Sequence, residues 1–291
     1  MDTKNAKTRE LVEKDNRYVW HALSRYTPSE GGGTTPAPRM LVAEGKGAWI
    51  SDTEGNHYLD GMSGLWCVNV GYGREELARA AYDQLATLPY YPLTMGHEPA
   101  VRLGEKLNEW LDDEYIVYYS NSGSEANEVA FKIARQYHQQ NGEPGRHKFV
   151  SRYRAYHGNT FGGNPAACAL ALRNLEIMEE ENLPAQSAAM GERLRAQLAD
   201  LEDHPNVGQI RNKGLLFGLE LVEDKESRTP ATAEKVGAVI AGCKERGLIV
   251  GKNGDTVAGF NNVVTLAPPL IVTDDDLEFI SGTLKESLAS L

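Results

Sequence analysis

Tyr115-Ile116-Val117-Tyr118-Tyr119-Ser120-Asn121-Ser122-Gly123-Ser124-Glu125-Ala126-Asn127 is the stretch on which the fold turns. Its first five residues are all β-branched or aromatic and read as a buried strand. Ser120–Ser124 then turns the chain, and Ala126, Val129, Ala130, Ile133, Ala134 and Tyr137 recur at i, i+3, i+4, i+7, the apolar stripe of a helix. Free backbone N–H groups converge at such a helix start, where the macrodipole adds partial positive charge. Gly123 permits close backbone approach and the flanking Ser122 and Ser124 hydroxyls add donors, so the geometry suits a phosphate. The same residues equally fit an ordinary helix with a serine cap.

Outward from this unit, Lys148–Arg152 reads as a second strand leading into Tyr156-His157-Gly158-Asn159-Thr160. Upstream, a helix carries Leu11, Tyr18, Val19 and Ala22 on one face, and Pro28–Pro38 is loop. Strands at Ala48–Ser51 and His57–Leu59 flank the hairpin signal Asp52-Thr53-Glu54-Gly55-Asn56. Helices follow over Arg74–Leu85 and Ala100–Leu111. Downstream, helices are expected at Ala166–Glu181, Ala185–Leu201 and Ala231–Arg246, and strands at Gly214–Val222, Gly247–Val250 and Val263–Ala267. The last helix starts at Asp274, with Thr273 as N-cap and three aspartates at the positive end of its dipole. The class is α/β.

The composition of the 291 residues excludes several functions. With 30 basic against 41 acidic side chains the net charge is −11, which argues against nucleic acid. The longest apolar stretch, around Ala166–Leu172, is far short of the ~20 residues of a membrane span. Met1–Asn5 lacks the apolar core of a signal peptide, so a cytosolic protein is expected. Cys67, Cys168 and Cys243 are odd in number and far apart, and form neither a disulfide framework nor a zinc motif. The seven histidines show no metal-ligand spacing, and only His157 lies near the candidate site. Trp66, in Ser63-Gly64-Leu65-Trp66-Cys67, is by default a core residue.

Five motifs taken in order carry a resemblance. Val19-Trp20-His21, Asp60-Gly61-Met62-Ser63-Gly64-Leu65-Trp66, Ser120–Asn127, Tyr156-His157-Gly158 and Phe161-Gly162-Gly163-Asn164-Pro165 together resemble the class III aminotransferases. These are the ω-amino acid:pyruvate group of fold-type I pyridoxal 5'-phosphate (PLP) enzymes. Tyr18–Leu23 and Lys252–Asn262 look most like the taurine–pyruvate members. The resemblance implies a PLP-dependent transferase fold of type I, with residues 1–60 packing with the small domain, 61–160 a remnant of the large cofactor domain and 161–291 the C-terminal α/β small domain. It implies an amino donor of the taurine or β-alanine type, a 2-oxo acid acceptor (pyruvate) and a homodimer. It places the cofactor at Ser122, Gly123, Ser124, Tyr156, His157 and Thr160, with Gly123 and Ser124 on the phosphate and Tyr156 stacked on the pyridine ring. Leu65 and Trp66 would line the substrate pocket and Trp20 its mouth.

The resemblance also marks a gap. Family members carry a ring-nitrogen aspartate and a Schiff-base lysine between Tyr-His-Gly and Phe-Gly-Gly-Asn-Pro. Here only Asn159 and Thr160 separate Gly158 from Phe161, so the large-domain sheet is expected to be incomplete. Thr160 matches a threonine of both motifs, as a deletion joining there would produce. None of the thirteen lysines, from Lys4 to Lys285, stands in a setting like the lost one; Lys132 matches a non-catalytic lysine of the phosphate helix. Many members acting on β-amino acids also place an arginine just after the strand Leu248-Ile249-Val250, where this chain has Gly251 and Lys252.

Overall fold

The computed structural model describes residues 3–19, 40–112, 114–150, 165–253 and 259–291. In chain order the elements are α1 (Thr3–Tyr18), β1 (Val42–Lys46), β2 (Trp49–Asp52), β3 (His57–Asp60), the single turn α2 (Ser63–Trp66), α3 (Glu75–Thr87), α4 (Glu98–Leu111), α5 (Gly123–Gln140), α6 (Pro165–Glu180), α7 (Leu183–Gln197), β4 (Val207–Lys213), β5 (Leu216–Asp224), β6 (Thr229–Pro230), α8 (Ala233–Glu245), β7 (Leu248–Ile249), β8 (Gly251–Lys252), β9 (Val263–Leu266) and α9 (Asp274–Ala289). Among the described residues no helix is long and apolar enough to cross a membrane.

The chain forms two compact units. One joins Met1–Gly73 to Ala185–Asn253 and Asn262–Leu291; the other joins Arg74–Pro184 to Gly254–Asn261. This division cuts across the three consecutive stretches read from sequence, because α6 falls with α3 and α4.

The first unit holds both sheets. One runs β1-β2-β3-β7, closed by the parallel pair Leu59–Leu248; the other runs β4-β5-β9-β8, antiparallel throughout, with β6 on β5. The hairpin forms where the sequence places it. The buried Asp52 carboxylate accepts N–H bonds from Glu54 and Asn56 and the Tyr58 hydroxyl, which fixes the turn. Burial pushes its pKa up, and these hydrogen bonds outweigh that and hold it below the ordinary value. Phe217, Leu219 and Leu221 of β5 alternate inward onto Leu194 and Leu198 of α7, Val236 and Val239 of α8 and Leu277, Ile280 and Leu284 of α9. Thr273 caps α9 in a full capping box with Asp276. Asp276 also accepts from the Trp49 indole at 2.9 Å, tying β2 to α9.

The second unit is helical. α6 ends on Glu179 and Glu180, with Glu181 just beyond, and all three oppose the negative end of its dipole. Cations from its neighbours offset this: Lys106 of α4 on Glu179, Arg74 at the start of α3 on Glu181, and Arg173 of α6 itself on Glu180 at 2.8 Å.

Three expectations are corrected. Tyr115–Tyr119 forms no strand: Ile116 is 104% exposed and Tyr118 70%. Residues 148–150 form none either, and 151–152 lie outside the described residues. An isolated strand has no ladder to satisfy its backbone, so apolar content alone cannot create one. α1 forms, but Leu11, Tyr18 and Val19 are exposed; the side chain it seats is Thr8, whose hydroxyl bonds that of Thr53. Ala22 lies outside the described residues.

Candidate functional site

The turn before α5 carries the residues expected to face a phosphate. Ser122 is extended (φ −154°, ψ 157°) and its hydroxyl accepts the Glu125 N–H, while the Glu125 carboxylate accepts the N–H of Asn121 at 2.9 Å. This reciprocal cap leaves Gly123 at the first helical position, where an added Cβ would meet nothing within 4 Å. The helix start is open at Gly123, with room for an anion there. Tyr156, His157, Thr160 and Trp20 lie outside the described residues.

Leu65 and Trp66 sit in the other unit, on a turn of unusual hand. Ser63, Gly64, Leu65 and Trp66 have φ of 49°, 56°, 61° and 69°. Left-handed backbone costs an L-residue roughly 1–2 kcal/mol, so something must hold it. That is Asp60: buried, its carboxylate accepts the N–H of Met62 at 2.9 Å, the N–H of Gly64 at 2.6 Å and the Tyr72 hydroxyl. Burial, then Asp60, pushes the Tyr72 hydroxyl pKa up, so Tyr72 stays a donor. Ser63 donates to the Ala267 carbonyl and anchors the turn to the end of β9. Gly64 has no alternative here, since a Cβ would lie 2.9 Å from Val68 Cγ2. The turn presents Leu65 and Trp66 outward, each 59% exposed; Trp66 is not a core residue. It forms one wall of a cleft of about 160 Å³ with Ser63, Lys213, Leu215 and Pro268.

Asp60 and Tyr72 are the residues that motif reading passes over. Asp60 stands inside the quoted Asp60–Trp66 motif, but its role depends on Tyr72, which no spacing rule connects to it. The position after Leu248-Ile249-Val250 has a steric explanation. A Cβ at Gly251 would fall 2.6 Å from Met62 Cε and 2.7 Å from Thr265 Oγ1, so no arginine enters there without displacing β9 or Met62. Among the described residues no cluster of His, Cys, Asp or Glu could hold a metal ion.

The aminotransferase class-III family model matches residues 32–160 and again 155–288. The chain belongs to the class III aminotransferase family. Its two matched blocks meet at 155–160, over Tyr156-His157-Gly158-Asn159-Thr160. The chain is 38% identical to the uncharacterized aminotransferase YhxA of Bacillus subtilis, in an alignment covering 97% of each protein. That alignment runs over 444 positions against the 291 residues here, so YhxA residues amounting to more than half this chain's length have no counterpart in it. The taurine–pyruvate aminotransferase of Rhodobacter capsulatus is 26% identical, again over 97% of each. Among solved structures, an aminotransferase of Bacillus anthracis superposes with a TM-score of 0.90 at 35% identity, covering all of both chains.

Class III aminotransferases depend on PLP, and this aminotransferase presents residues for one end of it. The open N-terminus at Gly123 fits the phosphate. The residues assigned to the ring end, Tyr156, His157 and Thr160, lie outside the described residues; Ile116, Tyr118 and Val150, which flank α5 in sequence, face solvent.

Proposed function

We propose that the chain descends from an enzyme moving the amino group of an ω-amino acid or amine, of the taurine or β-alanine type, onto pyruvate. In its 291-residue form it has lost the lysine and the ring-nitrogen aspartate of that reaction and does not turn over. The observation carrying this reading is the meeting of the two family-model blocks at 155–160, directly behind the motif assigned to the ring. The chemistry PLP supplies when bound is an electron sink for cleaving the bond beside the amine. The residues assigned to it divide the work that remains. Backbone N–H groups at Gly123 and Ser124, with the Ser122 cap, receive the phosphate. Tyr156 covers the ring, and His157 and Thr160 complete the set. Leu65, Trp66 and Trp20 shape the donor's path. Donor choice is supported by the names of the R. capsulatus and Paracoccus denitrificans relatives, taurine–pyruvate and hypotaurine/taurine–pyruvate aminotransferase, and by Gly251 and Lys252 standing where a carboxylate-binding arginine is expected. A cytosolic homodimer completes the proposal.

The test uses the purified chain with PLP. Borohydride reduction and peptide mapping should find no single labelled lysine, and taurine with pyruvate should yield no alanine. Stoichiometric labelling of one lysine, for instance Lys132, would overturn the proposal and restore a working enzyme.

A further inference from the structure

The second unit carries two segments that have strand composition and lack a sheet. In Tyr115–Tyr119 the exposure alternates: Val117 and Tyr119 are partly covered, and Ile116 and Tyr118 face out. Asn108 bonds both the N–H and the carbonyl of Tyr115, standing in for a neighbouring strand at that one residue. Among the described residues no backbone hydrogen bond reaches Ile116, Val117 or Tyr118. The second segment, Lys148-Phe149-Val150, is held by the Phe149 ring against Phe131 of α5, 4.7 Å between centroids, while Val150 is 97% exposed. Between them α5 buries no residue, and Ile133 and Tyr137 of its apolar stripe face solvent.

Unpaired N–H and C=O groups beside exposed apolar side chains form an acceptor for added strands. What covers it follows from where the family match is interrupted. Val150 stands five residues before the two family blocks meet, and YhxA residues amounting to more than half this chain's length have no counterpart in it. We infer that Ile116–Tyr118 and Lys148–Val150 are an open strand-docking surface, and that its occupant is the polypeptide stretch this chain lacks, supplied in trans. This rests on the reading that the stretch was lost from the family frame. Parallel sheets are covered on both faces, so a docked stretch would also cover the exposed stripe of α5.

The probe is the part of YhxA that has no counterpart in this chain, made as a separate polypeptide and mixed with the full chain without cofactor. A 1:1 complex should elute in size exclusion, and the amides of 116–118 and 149–150 should exchange at least about tenfold more slowly in it than in the chain alone. Ile116→Lys with Val150→Lys should abolish the complex. Both side chains are almost fully exposed, so neither change threatens folding. Val42→Lys, on β1 and 55% exposed, should leave it intact. No complex, or a complex indifferent to the lysines at 116 and 150, overturns the inference, as does protection at those amides in the chain alone. Unique lysine labelling of the isolated chain would instead overturn the proposed loss of activity, so the two failures are distinguishable.

Discussion

β5 and the segment Tyr115–Tyr119 are both runs of strand-forming residues, yet only one of them is a strand. β5 reaches β4 across the Gly214–Leu215 turn and β9 on its other edge, and three helices cover its inner face. Every partner lies between Leu183 and Ala289. Tyr115–Tyr119 has α4 before it and α5 after it, and no second strand among the described residues pairs with it. The contrast is one of contact range. An antiparallel sheet built from hairpins supplies its own neighbours, whereas a parallel strand waits for a neighbour a crossover away. On the proposed loss of sequence near Thr160, the first unit keeps its partners and the second does not, although both keep their local signals.

Substitutions on the two sides should differ widely. Leu219→Ala, in the β5 core and 1% exposed, is expected to lower the urea midpoint by an amount equivalent to about 2–5 kcal/mol. Ile133→Ala on α5, 56% exposed, should cost under about 0.5 kcal/mol. Equal costs would mean that α5 is packed after all.

A smaller, pH-dependent effect sharpens the closed side. The Asp52 carboxyl is held below its ordinary pKa in the folded hairpin, so its contribution is present above the unfolded value, about 4, and is lost as pH falls through the folded value. Asp52→Asn should be the less stable protein at pH 7, and the gap to the parent should close in acid unfolding below pH about 4. A gap that stays constant with pH would show that the ionised form has no special stabilisation.

What the sequence made legible follows the same division. The Asp52–Asn56 turn and the Thr273 cap are decided by side chains within a few residues of the backbone they satisfy, and both stand where they were read. The helices from α3 through α9 follow their apolar spacing to within a few residues. β4 escaped notice because Gln209, Arg211 and Lys213 make it an unremarkable polar run, given its place only by pairing with β5. The Tyr115–Tyr119 strand was over-read because composition reports the capacity to pair and carries no information about the partner. At the site, Gly123 and its serines are a local signal. The left-handed turn presenting Leu65 and Trp66 depends on Asp60 meeting Tyr72 and on Ser63 meeting Ala267, contacts no local pattern announces.

The most direct measurement is hydrogen exchange of the isolated chain, read segment by segment. Amides of Ile210–Leu221 and Val263–Leu266 should be protected close to the global stability of the first unit. Those of Ile116–Tyr118 and Phe149–Val150 should exchange at nearly unprotected rates, with α5 only slightly slower. Comparable protection in both regions would mean that the second unit has closed a sheet of its own, and would contradict the account of a chain open where its family is closed.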